Sequence, residues 1–281
     1  MLLSLIRKLC KKIKDPKKRS RQPVFILLRR LVTDVYIVEQ MAHKPGIKSD
    51  YDLYMAMNAY FSRTKDSTST VAPPASCDAN PRARRRAAEI AKILHEQDID
   101  TAGATYYDYG CADGTISRAL GLALGARESW CGDIGTWQEK SNIVTDTSIN
   151  FLPIEKSCIF SDDCPKKFTI ITAPMVFHHI DPKELWANIN TLVQRLAFGG
   201  HLVVREHDAE SQDTVNLCHV EHALHAMVMS STPDREFFTT YTSNYLPSAS
   251  WIKVIESCGI SLVHRTEPYG VTRNHYLIFR R

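Results

Sequence analysis

Residues 105–281 predict an α/β fold, a largely parallel sheet of seven strands with helices on both faces. Three observations carry that expectation. Short runs rich in β-branched and aromatic residues alternate with longer segments of helical period, which is the pattern of repeated strand–helix units. The first such run ends in "YYDYGCADGT", Tyr106 to Thr115, where two glycines stand four apart as a strand gives way to a helix. No apolar run approaches the roughly 20 residues that a membrane-spanning helix needs.

Taking the elements in order, "MLLSLIRKLCKKIK" sets Leu2, Leu5, Ile6, Leu9 and Ile13 at helical spacing, with Arg7, Lys8, Lys11, Lys12 and Lys14 on the other face. Pro16 stops it. Charge follows only a short apolar stretch, so the segment does not read as a secretory signal. It reads either as a helix lying on an anionic surface, RNA phosphate or lipid headgroups, or as a solvated basic tail. "PVFILLRRLVTDVYIVEQMA" and "DYDLYMAMNAYF" predict two further helices. Residues 1–63 form a basic helical N-terminal extension, and residues 64–80, rich in Ser, Thr and Pro, form a linker.

Asn80 followed by Pro81 is an N-cap and first-turn pair. The helix it opens repeats Ala83, Ala87, Ile90, Ala91 and Leu94 on one face, while Arg82, Arg84, Arg85 and Arg86 crowd its first turn. That is the wrong end for a helix dipole, so the cluster reads as a solvated face or a contact for an acidic partner. The predicted strands are Thr105–Tyr109, Glu128–Gly132, Ile149–Ile154, Phe168–Thr172, His201–Arg205, Ile260–His264 and His275–Phe279. Helices are expected at Thr115–Gly125, Pro182–Leu196, Thr214–Ser230 and Ser248–Cys258. In such a sheet ligands sit at the carboxyl ends of the strands, near the reversal of strand order.

Composition narrows the class. The chain has 281 residues, 44% apolar and 23% charged, which suits a globular protein with a real core. Its eight cysteines include no C-x-x-C pair and read as reduced thiols of a cytoplasmic protein without a zinc site. Residues 1–30 hold eleven Lys or Arg against one Asp, a balance of +10, and residues 31–281 carry 24 bases and 30 acids, or −6.

The glycines explain themselves by what lies downstream. Backbone amides at the start of the helix near Thr115 face whatever occupies the turn, and glycines let it come close. Twenty residues after Asp113, Asp133 follows the second strand, where an acid can accept both hydroxyls of a ribose. A dinucleotide would want G-x-G-x-x-G, but Thr115 stands at the last glycine position and Asp113 would repel phosphate. A nucleoside bearing an ammonium group fits an acidic loop better.

The segment Asp108-Tyr109-Gly110-Cys111-Ala112-Asp113-Gly114 resembles the D-x-G-x-G-x-G loop of class I S-adenosylmethionine-dependent methyltransferases, type 11-like, with Ala112 at the middle glycine. Asp133 matches their ribose-binding acid, and Glu155 the acid beside the adenine, with Asp162 and Asp146 as alternatives. "FTIITAPMVFHHI" matches their fourth strand and the segment flanking the cofactor, including Ala173 and Met175. "LAFGGHLVVREHD" matches the turn and fifth strand, and its REHD sequence is similar to that of a subset that includes viral enzymes. The resemblance spans residues 100–281. It implies a Rossmann-like methyltransferase domain over residues 81–281, S-adenosyl-L-methionine as cofactor, and a cofactor site of Asp108, Gly110, Cys111, Ala112, Asp113, Gly114, Asp133, Glu155, Ala173 and Met175.

The acceptor is less marked. The K-D-K-E arrangement of ribose methyltransferases and the Asn/Asp-Pro-Pro-Tyr/Phe signature of base methyltransferases are both absent. A hydroxyl or protonated-amine acceptor needs a base, and His is suited to that task near neutral pH. His207, steadied by Glu206 or Asp208, is the first candidate, followed by His178 and His222. An Arg205–Glu206 or Arg205–Asp208 salt bridge is the structural alternative. His219, His222 and His225 lie three apart on one helix. The acceptor is RNA or another polyanion, docked by the basic N-terminus, or else a small molecule or protein. A non-catalytic cofactor-binding subunit is the third reading.

Overall fold

The computed structural model describes residues 2–19, 21–29, 35–65, 80–134, 148–154, 165–229, 241 and 243–281, with the side chains of 16, 35, 61–65 and 225–229 excepted. Asp146, Glu155 and Asp162, most of the linker, and the side chains of His225, Met227 and Met229 therefore lie outside the described residues. Packing divides the chain into two compact units. One comprises Met1–Thr70, His207–Tyr245 and Tyr269–Asn274, and the other Val71–Glu206, Leu246–Pro268 and His275–Arg281. This differs from a split into residues 1–63, 64–80 and 81–281, because two segments from the second half of the chain share a core with the N-terminal helices.

The larger unit holds a seven-stranded sheet in the order β3-β2-β1-β4-β5-β7-β6. Its strands are β1 (Thr105–Tyr109), β2 (Glu128–Ile134), β3 (Asn150–Ile154), β4 (Phe168–Pro174), β5 (Leu196–His207), β6 (Ser261–Arg265) and β7 (Asn274–Arg280). Pairs β1–β2, β1–β4, β2–β3 and β4–β5 are parallel, and β6–β7 is antiparallel. The first five strands thus follow the doubly wound order, and the reversal falls between β1 and β4. A bulge between Phe168 and Ile170 lets β5 begin at Leu196, five residues before the expected start at His201.

Side chains alternate across the strands, as a period of two requires. Tyr107, Ile171, Leu202, Val204, Leu277 and Phe279 pack in one buried cluster with Leu185, Ile189, Trp251 and Ile255. Tyr106, Ile170, Val203, Tyr276 and Ile278 pack on the other face with Ala83, Ala87, Ile90, Leu94 and Leu120.

Ten α-helices are described, besides a short 3-10 turn at Phe177–His179. The first seven are α1 (Leu2–Lys12), α2 (Pro16–Arg19), α3 (Pro23–Leu28), α4 (Val35–Ala42), α5 (Asp50–Lys65), α6 (Pro81–Glu96) and α7 (Thr115–Ala123). Then follow α8 (Pro182–Arg195), α9 (Gln212–Met229) and α10 (Ser248–Glu256). Caps fix the starts of two of them. Asn80 Oδ1 accepts the amides of Arg82 and Ala83 at 3.1 and 3.2 Å, and Asp181 Oδ1 accepts that of Lys183 at 2.9 Å.

In the smaller unit the N-terminal segment is neither a solvated tail nor a helix with an uncovered apolar stripe. Leu2, Leu3 and Ile6 of α1 are buried with Val24, Phe25, Leu27, Leu28, Val38, Leu53, Tyr54 and Met57, and with Val220, Ala223 and Leu224 of α9. Asp50 caps α1, its carboxylate accepting the Leu2 and Leu3 amides at 2.9 and 2.8 Å. Arg7 donates to the carbonyls of Ala42 and Ile47, both at 2.7 Å. Arg19 makes a two-pronged pair with Glu39 at 3.0 and 2.8 Å and also donates to the carbonyls of Ile13 and Lys14.

Candidate active site

The turn after β1 is built from backbone geometry. Gly110 adopts φ +77°, and a Cβ added there would lie 2.5 Å from Val176 Cγ2, so both conformation and space demand glycine. The amides of Gly110 and Cys111 both donate to the Gly132 carbonyl, at 2.8 and 3.1 Å, pinning the turn to β2. Gly114, at φ +69°, opens α7. Ala112 is also left-handed, at φ +50°, so alanine occupies a conformation that the resemblance reserves for glycine.

Asp108 lies 2% exposed at the end of β1. Its two oxygens accept the hydroxyls of Ser117 and Thr172, each at 2.5 Å, joining β1 to α7 and β4. Burial pushes its carboxyl up to about 6, although both hydroxyl bonds favour the ionised form. Asp113 is exposed, and its Oδ1 accepts the Thr115 amide at 3.1 Å, occupying one of the unpartnered donors at the start of α7. Cys111 is buried, and a hydrogen bond with the Cys131 thiol together with burial pushes its own thiol up, so it stays neutral.

Asp133, on β2, closes the turn from the side. Its Oδ2 accepts the Ala112 amide at 2.5 Å and its Oδ1 the Ile134 amide at 2.7 Å. Burial lifts its carboxyl above the ordinary aspartate value, against those two bonds. On the β4 side Ala173 is fully buried, and Met175, at φ +64°, donates its amide to the Arg205 carbonyl at 2.7 Å.

Glu206 is fully buried at the end of β5, with a partner different from the expected one. Its Oε1 accepts the Phe177 and His178 amides at 2.9 and 3.3 Å, and its Oε2 meets His178 Nδ1 at 2.6 Å. A carboxylate holding two amides is an acceptor, so the His178 Nδ1 donates its proton to Glu206. The adjoining His179 is exposed, its ring centroid 4.1 Å from that of His178.

The smaller unit holds the other candidates. His207 is fully buried, and its Nδ1 donates to the Thr272 carbonyl at 3.0 Å. The described bonds of the two neighbouring carboxylates run to other residues. Glu206 holds His178, and Asp208 accepts Arg273 Nη2 at 2.9 Å. Consecutive strand residues face opposite sides, which forbids a Glu206–His207 pair.

His222 Nδ1 lies 2.9 Å from the Cys218 carbonyl and 2.8 Å from Tyr245 Oη. Tyr245 also bonds Tyr241 at 2.5 Å, and its ring stands edge-on to that of His207, centroids 5.5 Å apart. Burial pushes the Tyr241 and Tyr245 phenols up and the His219 imidazole down, which favours the uncharged form of these three groups. No sequence pattern pointed to Tyr241, Tyr245 or Thr272, nor to Ser117, Thr172 and Val176 around the turn.

No family model and no curated protein matches the chain. Among solved structures it is similar to an S-adenosylmethionine-dependent methyltransferase from Mesorhizobium loti, at 14% identity and TM-score 0.49, over 68% of this chain and 96% of that one. It is similar to magnesium protoporphyrin IX methyltransferase from Synechocystis with bound SAH, at 14% identity and TM-score 0.47, over 94% and 97% of the two chains. The N-methyltransferase NodS from Bradyrhizobium japonicum matches at 16% identity and TM-score 0.45, over 69% and 86%.

Proposed function

We propose that the chain is an S-adenosylmethionine-dependent methyltransferase acting on RNA or another polyanion. The observation that carries this reading is the turn after β1, where Gly110 and Gly114 are left-handed and Asp133 closes the side at the point of strand reversal. Glycine at 110 is what lets Val176 pack against the turn, which holds the loop's backbone in place beside the strand end. The backbone of Gly110–Gly114 would hold the cofactor, Asp133 its ribose hydroxyls, and Asp113 its ammonium group. When bound, S-adenosylmethionine supplies a methyl group activated by its sulfonium.

The chain's own contribution is alignment and proton removal. His178 is the base in this reading. Glu206 holds Nδ1–H, and in the neutral ring Nε2 would take the acceptor's proton while the carboxylate stabilises the resulting imidazolium. Incubation with methyl-labelled cofactor and separate pools of RNA, protein and small metabolites tests the proposal. Label in the RNA pool, lost with His178→Asn, is the expected result. Label in the protein or metabolite pool would move the acceptor class, and label in none would refute methyl transfer.

A further inference from the structure

The basic N-terminal segment was open to two partners, and the fold separates them. A helix that lies on a membrane sinks its apolar face into the headgroup boundary. The apolar face of α1 is already spent, since Leu2, Leu3 and Ile6 are buried among the side chains of α3, α4, α5 and α9. What remains outside is charge. Lys8, Lys11 and Lys12 are exposed at helical spacing on α1, followed by exposed Lys14, Lys18 and Arg21. The one acid in this stretch, Asp15, accepts the Lys17 amide at 2.9 Å.

On α1 and α2 the exposed cations are all lysines, and the exposed Arg21 and Arg29 lie beyond them. Arg7 and Arg19 are committed to main-chain carbonyls and to Glu39. Arginine reads base edges through its planar fork, whereas lysine meets phosphate as a flexible point charge. The exposed side of α1 and α2 therefore suits a phosphate backbone followed without sequence readout. Two rings of the same unit are also exposed, Tyr36 on α4 at 57% and Tyr60 on α5 at 37%, both on helices of the core that α1 joins. Lysines with exposed aromatic rings match single strands, whose unstacked bases can lie on a ring.

We infer that the α1–α2 face docks single-stranded RNA through its phosphates. The inference deepens the polyanion reading of the acceptor and rests on it. It is tested with the full chain and a fluorescein-labelled oligouridylate, by anisotropy across a salt series. Five lysines neutralising five phosphates give a log–log salt slope of about −3.5, at about −0.7 per contact for single strands.

Replacing Lys8, Lys11, Lys12, Lys14 and Lys18 together by Gln should remove most of that slope. Lys12→Gln and Lys14→Gln alone should each remove about 0.7, which keeps the test alive if the fivefold variant misfolds. Tyr36→Ala should lower affinity about 5- to 100-fold with the slope unchanged. Calorimetry with S-adenosylmethionine runs beside each variant. Unchanged cofactor binding with a reduced slope supports the docking face. An unchanged slope overturns the docking face while leaving the methyltransferase reading intact, and loss of cofactor binding by the wild-type chain overturns that reading instead. Phosphatidylserine vesicles that bind as tightly as RNA, or that RNA fails to displace, would overturn the choice of RNA.

Discussion

Replacing Glu206 by Gln isolates the buried imidazole–carboxylate pair. The amide oxygen can still accept from Phe177 and His178, the bonds now made at 2.9 and 3.3 Å, so the turn after β4 keeps its anchor. The amide nitrogen would then face His178 Nδ1 across the present 2.6 Å, donor against donor. Moving the imidazole proton from Nδ1 to Nε2 relieves the conflict. That tautomer has no lone pair left at Nε2, so the base is lost although the ring stays in place. The stability cost should be that of one hydrogen bond to a charged group, about 1.5–3 kcal/mol. Methyl transfer should fall about 10²–10⁴-fold if one general base is removed. Nitrogen-15 imidazole spectra report the tautomer directly, and labelled-methyl transfer reports the rate. A variant whose His178 remains protonated at Nδ1, or one with the new tautomer and full activity, would refute this role for the pair.

Three further outcomes follow from the same turn. Ala112→Gly removes a left-handed alanine at φ +50°, a gain of about 1–2 kcal/mol set against about 0.5–1 kcal/mol of added chain entropy, so a raised Tm is expected and a lowered one contradicts the strain. Gly110→Ala should destabilise the fold and abolish cofactor binding, and adding Val176→Ala should restore only part, because φ +77° stays strained; full rescue would assign everything to the Val176 contact. Asp108, raised to about 6, binds more protons folded than unfolded between about pH 4 and 6, so its contribution to stability falls as pH rises through that window, by about 2–3 kcal/mol. In denaturant titrations Asp108→Asn should lose that descending component, and curves parallel to wild type would contradict it.

Local rules made much of this protein legible. The cap at Asn80, the apolar face of α6 and the bounds of β1 depend on residues within a few positions of one another, and the structure reproduces them. The turn was legible too, because few sequences place two glycines and two acids at a strand end. Partners distant in sequence were not. Asp108 meets Thr172 because β1 and β4 pair in that register, and no local pattern encodes a register. The pairing of Glu206 with His178 was hidden in the same way, but the strand's period of two should have ruled out His207 as its partner. The stripe on α1 was visible while its cover was not. Periodicity shows that an apolar face exists, and only the assembled helices show that the protein itself fills it.

Calorimetry of the intact chain with S-adenosylmethionine, S-adenosylhomocysteine and NAD tests the central claim most directly. The account predicts saturable binding of the first two and none of NAD. Asp133→Ala, which deletes the acid beside Ala112, should weaken that binding by about 1–3 kcal/mol. Preference for NAD, or binding of S-adenosylmethionine that is indifferent to Asp133, would contradict it.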